Sequence, residues 1–240
     1  PRRLLRLYIP VTVAVCLAAL LLVVAQRFDA PGLGAWINDR TPRYNLDGFI
    51  HDVALLFGTS GVISPIWSLR WEVLFSLLLP LFVIFAVTLR TLWWPKLVAL
   101  IAVTAIASIA GVDFLFFLPI FGIGALLIVE WERLTTTMRR LGETAWGWPV
   151  YLAVAVLLTT ATWIARGLGA ADLDRYLAWL PIVGVAMSVV AAPTCPPVTR
   201  LLESRVPAWL GTISFALYLV HEPLIIAARV LTYPLSPWVG

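Results

Sequence analysis

A chain of 240 residues with seven apolar runs, each near the length that crosses a bilayer, has few folds open to it. The hydrocarbon core of a membrane is about 30 Å thick and a helix rises about 1.5 Å per residue, so a span needs roughly 20 mostly apolar residues. The runs at about 8–25, 66–88, 96–111, 114–130, 148–165, 177–192 and 208–230 meet or approach that length. Lipid offers no hydrogen-bond partners, so each run must satisfy its own backbone, and a helix does so within one segment. The predicted fold is all-α: a polytopic transmembrane helical bundle of about seven spans, forming one domain over 1–240. Composition agrees, with 61% hydrophobic and 12% charged residues against about half and a quarter in soluble domains.

The third and fourth runs are separated only by Gly111, Val112 and Asp113. One long polar stretch, 26–65, is rich in Pro, Gly, Asp and Asn. Placing the N-terminus in the cytoplasm puts ten Lys and Arg residues in cytoplasmic loops and five on the other side. Basic residues collect on the cytoplasmic face, so this orientation is predicted and 26–65 becomes an extracytoplasmic loop. Trp36, Trp67, Trp93, Trp94, Trp146, Trp148, Trp179 and Trp209 stand near run ends, as an interfacial aromatic belt would. The first run follows three arginines, but no small-residue cleavage site comes after it, so it reads as a span and not a signal peptide.

The net charge of +4 is accounted for by those loops, and no polar segment interleaves basic and aromatic residues as a nucleic-acid surface would. Cys16 and Cys195 lack metal-ligand spacing. Nucleotide-binding loops, zinc spacings and nucleophile elbows are also missing, so no metal is expected.

Charges inside spans carry the functional signal, because burying them is costly and they mark ligand or proton sites. The stretch "SPIWSLRWEVLF" enters the membrane with Trp67, Ser68, Arg70 and Glu72. Arg70 and Glu72 are two apart, on different faces of a helix, and so are not each other's partner. Glu72 is expected roughly 9 Å below the start of its span. Near the other end, His221 and Glu222 interrupt an apolar run, with Tyr218 three residues before His221 and Ser214 one turn further back. Reading the two spans with opposite polarity puts His221 and Glu72 at one depth in the outer half of the bilayer. His51, beside Asp52, is expected to be an exposed, pH-responsive loop residue. Arg3 and Arg6 share one face at the cytoplasmic mouth of the first span, either as a headgroup anchor or as a clamp for phosphate oxygens.

Together these elements resemble the acyltransferase-3 family of membrane O-acyltransferases. Its Arg-x-x-Arg element is similar to Arg3 and Arg6, followed by Pro10 one place later than usual. Its Trp-Ser-Leu-x-x-Glu signature is similar to Trp67, Ser68, Leu69 and Glu72. Its late Ser-Tyr-x-x-Tyr-Leu-x-His-x-Pro element resembles Ser214, Tyr218, Leu219, His221 and Pro223, with Phe215 in place of the first Tyr. The resemblance implies an acyl-CoA donor, in the first place acetyl-CoA, bound from the cytoplasm by Arg3 and Arg6. It implies Glu72 and His221 as catalytic groups, with Trp67, Ser68, Arg70 and Tyr218 around a hydroxyl acceptor such as a cell-surface glycan. It also implies residence in a bacterial plasma membrane, and a His-bearing span with a second span before the Arg-x-x-Arg element. A piece without those spans, and without a closing helix after Gly240, is expected to be inactive alone. The rival reading of the same charges is a proton-coupled transporter or flippase, although no internal repeat is visible.

Overall fold

The computed structural model describes residues 2–28, 30–40, 44–55 and 59–233, the side chains of 2–4 and 31 excepted. Its helices are α1 (Arg2–Val24), α2 (Ala35–Asn38), α3 (Leu46–Ala54), α4 (Ile66–Val87), α5 (Trp93–Ala110), α6 (Asp113–Val129), α7 (Trp131–Gly142), α8 (Gly147–Gly167), α9 (Asp174–Leu177), α10 (Trp179–Thr194), α11 (Pro196–Leu202) and α12 (Arg205–Thr232). No strand occurs among the described residues. The fold is therefore the all-α polytopic bundle that the apolar runs predict, each run falling on one of α1, α4, α5, α6, α8, α10 and α12. Five helices are long and apolar enough to span on their own. The count reaches seven when α6 is joined to α7 across a 75° bend and α10 to the turn and helix before it across a 56° bend. The chain forms two compact units, residues 1–77 with 209–240, and residues 78–208.

In the first unit, Leu55, Val62, Ile63 and Ile66 are buried against Leu7, Val11, Ala14 and Val15 of α1, together with Leu69 and Val73 of α4 and Leu219 of α12. The stretch read as a polar loop thus ends inside the apolar core. Local chemistry brings it there. The Asn45 side chain caps α3 by accepting the Gly48 N–H at 2.8 Å, a favoured N-cap arrangement. α3 stops at Leu55, whose φ of 61° is left-handed and whose side chain is fully buried. Asp52, also fully buried, accepts hydrogen bonds from the Ser60 N–H (2.7 Å), the Ser60 hydroxyl (2.6 Å) and the Tyr44 hydroxyl (2.5 Å). Burial and the bond to Asp52 both push the Tyr44 phenol well above its ordinary pKa. The Tyr8 hydroxyl donates to the Ala54 carbonyl at 3.0 Å and ties this segment to α1. A second cluster joins Ala25, Ala30, Leu33 and Ile37 to Ile226, Ala227 and Val230 of α12.

The second unit pairs α5 with α6 through Gly111, whose φ of 70° ends α5 in the left-handed conformation that glycine adopts freely. Lys96 donates to the Phe85 and Thr88 carbonyls and so satisfies the last turn of α4. Helices α8 and α10 pack backbone against backbone at Gly184, where a Cβ would lie 2.5 Å from the Thr159 nitrogen. Small residues at such crossings let backbones pack without a gap. Gly184→Leu is expected to force α8 and α10 apart and to destabilise the protein by about 1–3 kcal/mol. A thermal melt in detergent checks this; an unchanged midpoint would show that the crossing is not close-packed.

Candidate active site

The sequence-predicted residues divide between two polar groups in the first unit. The lower group lines a cleft of about 210 Å³ bounded by Arg6, Leu7, Glu72, Ser76 and Phe215. Arg6 of α1 and Glu72 of α4 share this cleft without forming an ion pair. The Glu72 carboxylate has no hydrogen-bond partner among the described residues, and the Ser76 hydroxyl donates to the Glu72 carbonyl at 2.7 Å. Arg3 lies in the first turn of α1, its side chain outside the described residues.

The upper group joins α12 to the start of α4. The Tyr218 hydroxyl donates to the Pro65 carbonyl at 2.9 Å and lies 2.8 Å from the Ser68 hydroxyl, which itself reaches that carbonyl at 3.1 Å. His221 Nδ1 is 2.7 Å from the Tyr218 carbonyl and 3.2 Å from that of Leu217. Carbonyls only accept, so in the neutral ring the proton sits on Nδ1 and the lone pair on Nε2. That nitrogen is the one able to take a proton.

The two groups are connected. Ser68, Glu72 and Ser76 recur every four residues and make one polar row along α4, while Phe215, Tyr218 and Glu222 form the matching stripe of α12. Neighbours in the row have Cβ atoms about 5–6 Å apart. The geometry corrects one expectation. Glu72 is not level with His221; it is level with Arg6 and Phe215, at the end of the unit where α1 begins. The reason is that α4 starts inside the protein core. Its first residue, Ile66, is already 1% exposed within the core, and six residues further the helix has descended about 9 Å.

Arg70 and His51 have neighbours of their own. The Arg70 guanidinium stacks over the Trp71 ring at 4.4 Å, and as expected it does not pair with Glu72. Trp67 is half exposed. His51, expected in an exposed loop, is a half-buried residue of α3, with Nε2 3.7 Å from the Asp47 carboxylate.

The residue that the sequence reading passed over is Glu222. It is 2% exposed, with Oε2 accepting the Ser64 N–H at 2.7 Å and Oε1 2.9 Å from Arg40 Nη2. Arg27, whose guanidinium donates to the Val62 carbonyl at 3.2 Å, also feels this carboxylate. Burial lowers the Arg27 pKa, Glu222 raises it and Arg40 lowers it again, leaving it below its ordinary value. Two cations of the polar stretch thus converge on one buried anion of α12. An acid inside an apolar run was the available signal.

Chemically, the arrangement offers a guanidinium and a free carboxylate in one cleft, two hydroxyls fixed on one carbonyl, and an imidazole with one basic nitrogen. A family model described as an acyltransferase domain matches residues 1–240. No curated protein and no solved structure matches the chain.

Proposed function

The chain belongs to the acyltransferase-3 family, and on that premise we propose that it moves an acyl group, in the first place acetyl, from acyl-CoA to a hydroxyl of a cell-surface glycan. The observation that carries this reading is the shared cleft of Arg6 and Glu72. A guanidinium suits the phosphates of coenzyme A, and an unpaired carboxylate beside it is free to orient a reacting group. The acceptor comes from the other end of the polar row, along Ser68 and Tyr218. Its hydroxyl oxygen attacks the thioester carbonyl, its proton passes to His221 Nε2, and the carbon–sulfur bond breaks to release the CoA thiolate, which takes up the proton that His221 accepted. Donors aimed at the tetrahedral oxyanion would lower the barrier further, and the Ser68 and Tyr218 hydroxyls support that role. The excess of basic loop residues on the Arg6 side supports a cytoplasmic donor and residence in a bacterial plasma membrane.

The test is acetyl transfer by the full-length protein in membranes, with acetyl-CoA and with its 3′-dephospho analogue. Arg6→Ala should raise KM for acetyl-CoA roughly tenfold or more, with a smaller effect on the dephospho donor if Arg6 meets the 3′-phosphate. An unchanged KM would remove Arg6 from the donor site. Proton-coupled uptake without acylation would favour the transporter reading.

A further inference from the structure

Glu222 stands next to His221 on α12, yet the acyl-transfer chemistry gives it no part. Its Oε2 accepts the Ser64 N–H at 2.7 Å. The following residue, Pro65, is buried, and its carbonyl accepts the Tyr218 hydroxyl at 2.9 Å and the Ser68 hydroxyl at 3.1 Å. One carboxylate thus fixes the backbone turn on which both site hydroxyls are held. Tyr218 and Glu222 are four apart, on one face of α12, so the helix presents a hydroxyl and the anchor of its acceptor side by side.

The residues before this turn are tied as well. Arg27 donates to the Val62 carbonyl and the Thr59 hydroxyl to the Ile63 carbonyl, each at 3.2 Å. Val62 and Ile63 are fully buried, and Ile66 is 1% exposed. With the backbone held in this way, side-chain rotation is the means by which the two hydroxyls leave Pro65. Each departure takes a partner from a buried carbonyl, which opposes it.

This arrangement matters for water. The His221 ring centroid is 6.0 Å from that of Tyr218, and a base beside a thioester can take its proton from water as well as from a sugar hydroxyl. In hydrolysis the water oxygen bonds to the thioester carbonyl carbon. One proton passes to His221 Nε2 and on to the departing CoA sulfur, and acetic acid leaves, giving its own proton to solvent. A site that stays closed until its acceptor arrives suppresses that loss. A glycan carries several hydroxyls on one frame and takes over both bonds in one binding event, whereas water must assemble molecule by molecule.

We propose that Glu222 is a specificity-determining residue that discriminates a polyhydroxyl acceptor from water. By holding the Ser64–Pro65 turn it keeps the Tyr218 and Ser68 hydroxyls engaged until such an acceptor displaces them. This role rests on the acyl-transfer reading and names the kind of acceptor that the same site admits.

Acetyl-CoA hydrolysis without acceptor, and acetyl transfer with it, are measured on the full-length protein in membranes for the wild type, Glu222→Asp and Glu222→Gln. Aspartate is one methylene shorter. The flexible Arg40 side chain can follow the withdrawn carboxylate, but the Ser64 backbone N–H cannot. Glu222→Asp should therefore hydrolyse acetyl-CoA roughly tenfold faster than the wild type. Glu222→Gln keeps an oxygen at full reach and should stay at the wild-type rate. A merely structural role predicts no gain of activity in either variant. Tyr218→3-fluorotyrosine reads the hydroxyl directly in detergent: its fluorine resonance should move in Glu222→Asp and stay in place in Glu222→Gln. Equal hydrolysis by all three proteins, with transfer intact, would overturn the proposal, as would a resonance that Glu222→Asp leaves in place. Equal leakage from both variants would also overturn it and assign the effect to the Arg40 ion pair. Neither transfer nor hydrolysis by any of the three would instead remove the acyl-transfer reading, and this role with it.

Discussion

Glu72→Gln is expected to reduce acyl transfer by roughly a hundredfold, the cost of losing the orientation of a reacting group, while leaving the protein folded and in the membrane. The substitution keeps the shape of the side chain and removes only its charge and its capacity to hold a proton. Glu72 has no hydrogen-bond partner among the described residues, so its loss disturbs no network and should leave the thermal midpoint in place. That separation makes the measurement informative. A parallel loss of activity and stability would give Glu72 a packing role, and retained activity would exclude it from the chemistry. Under the proposed mechanism the loss falls on kcat, because Arg6 and not Glu72 holds the donor. A rise in KM with kcat unchanged would mean that Glu72 contributes to binding alone.

Glu222→Ala should have the opposite signature. The Glu222 carboxylate neutralises Arg40 and accepts the Ser64 N–H, with its own side chain 3% exposed. Deleting one partner of a buried pair leaves the other charge stranded, at a cost of about 3–5 kcal/mol. Arg40 keeps 21% of its side chain exposed, so the lower end of that range is expected. Thermal unfolding in detergent measures it, and limited proteolysis should show cuts within 26–65 in the variant but not in the wild type. Glu222→Gln retains the acceptor for Ser64 and should be the milder change. If both variants melt with the wild type, the pair is a surface ion pair of little worth.

The spans were legible because lipid imposes a length and a composition that no other environment demands. α4, α8 and α12 could be bounded to within a few residues from apolar runs alone, whereas α1 begins six residues before its run because its first turn is basic. Proline and glycine left the 26–65 stretch looking like an ordinary loop. That Leu55, Val62 and Ile63 sit in the core is a tertiary fact, set by the bonds to Asp52 and by the left-handed turn at Leu55. The depth of Glu72 depended on that fact and was misplaced with it. The α7 helix was hidden differently: its apolar residues recur at helical spacing, yet they are outnumbered by Thr and Arg. In the site, motif residues with uncommon chemistry stood out, whereas Arg27, Arg40 and Glu222 came together only through folding. Nothing in one sequence pairs residues 182 positions apart, as Arg40 and Glu222 are.

The buried start of α4 has a consequence for the order of events. Pro65 and Ile66 are buried, and the Ser68 and Tyr218 hydroxyls are both held on the Pro65 carbonyl. Under the proposed chemistry, an acceptor arriving from that end would have to break these hydrogen bonds before its own hydroxyl met the donor. Entry of the acceptor, and not cleavage of the thioester, would then set the pace of turnover.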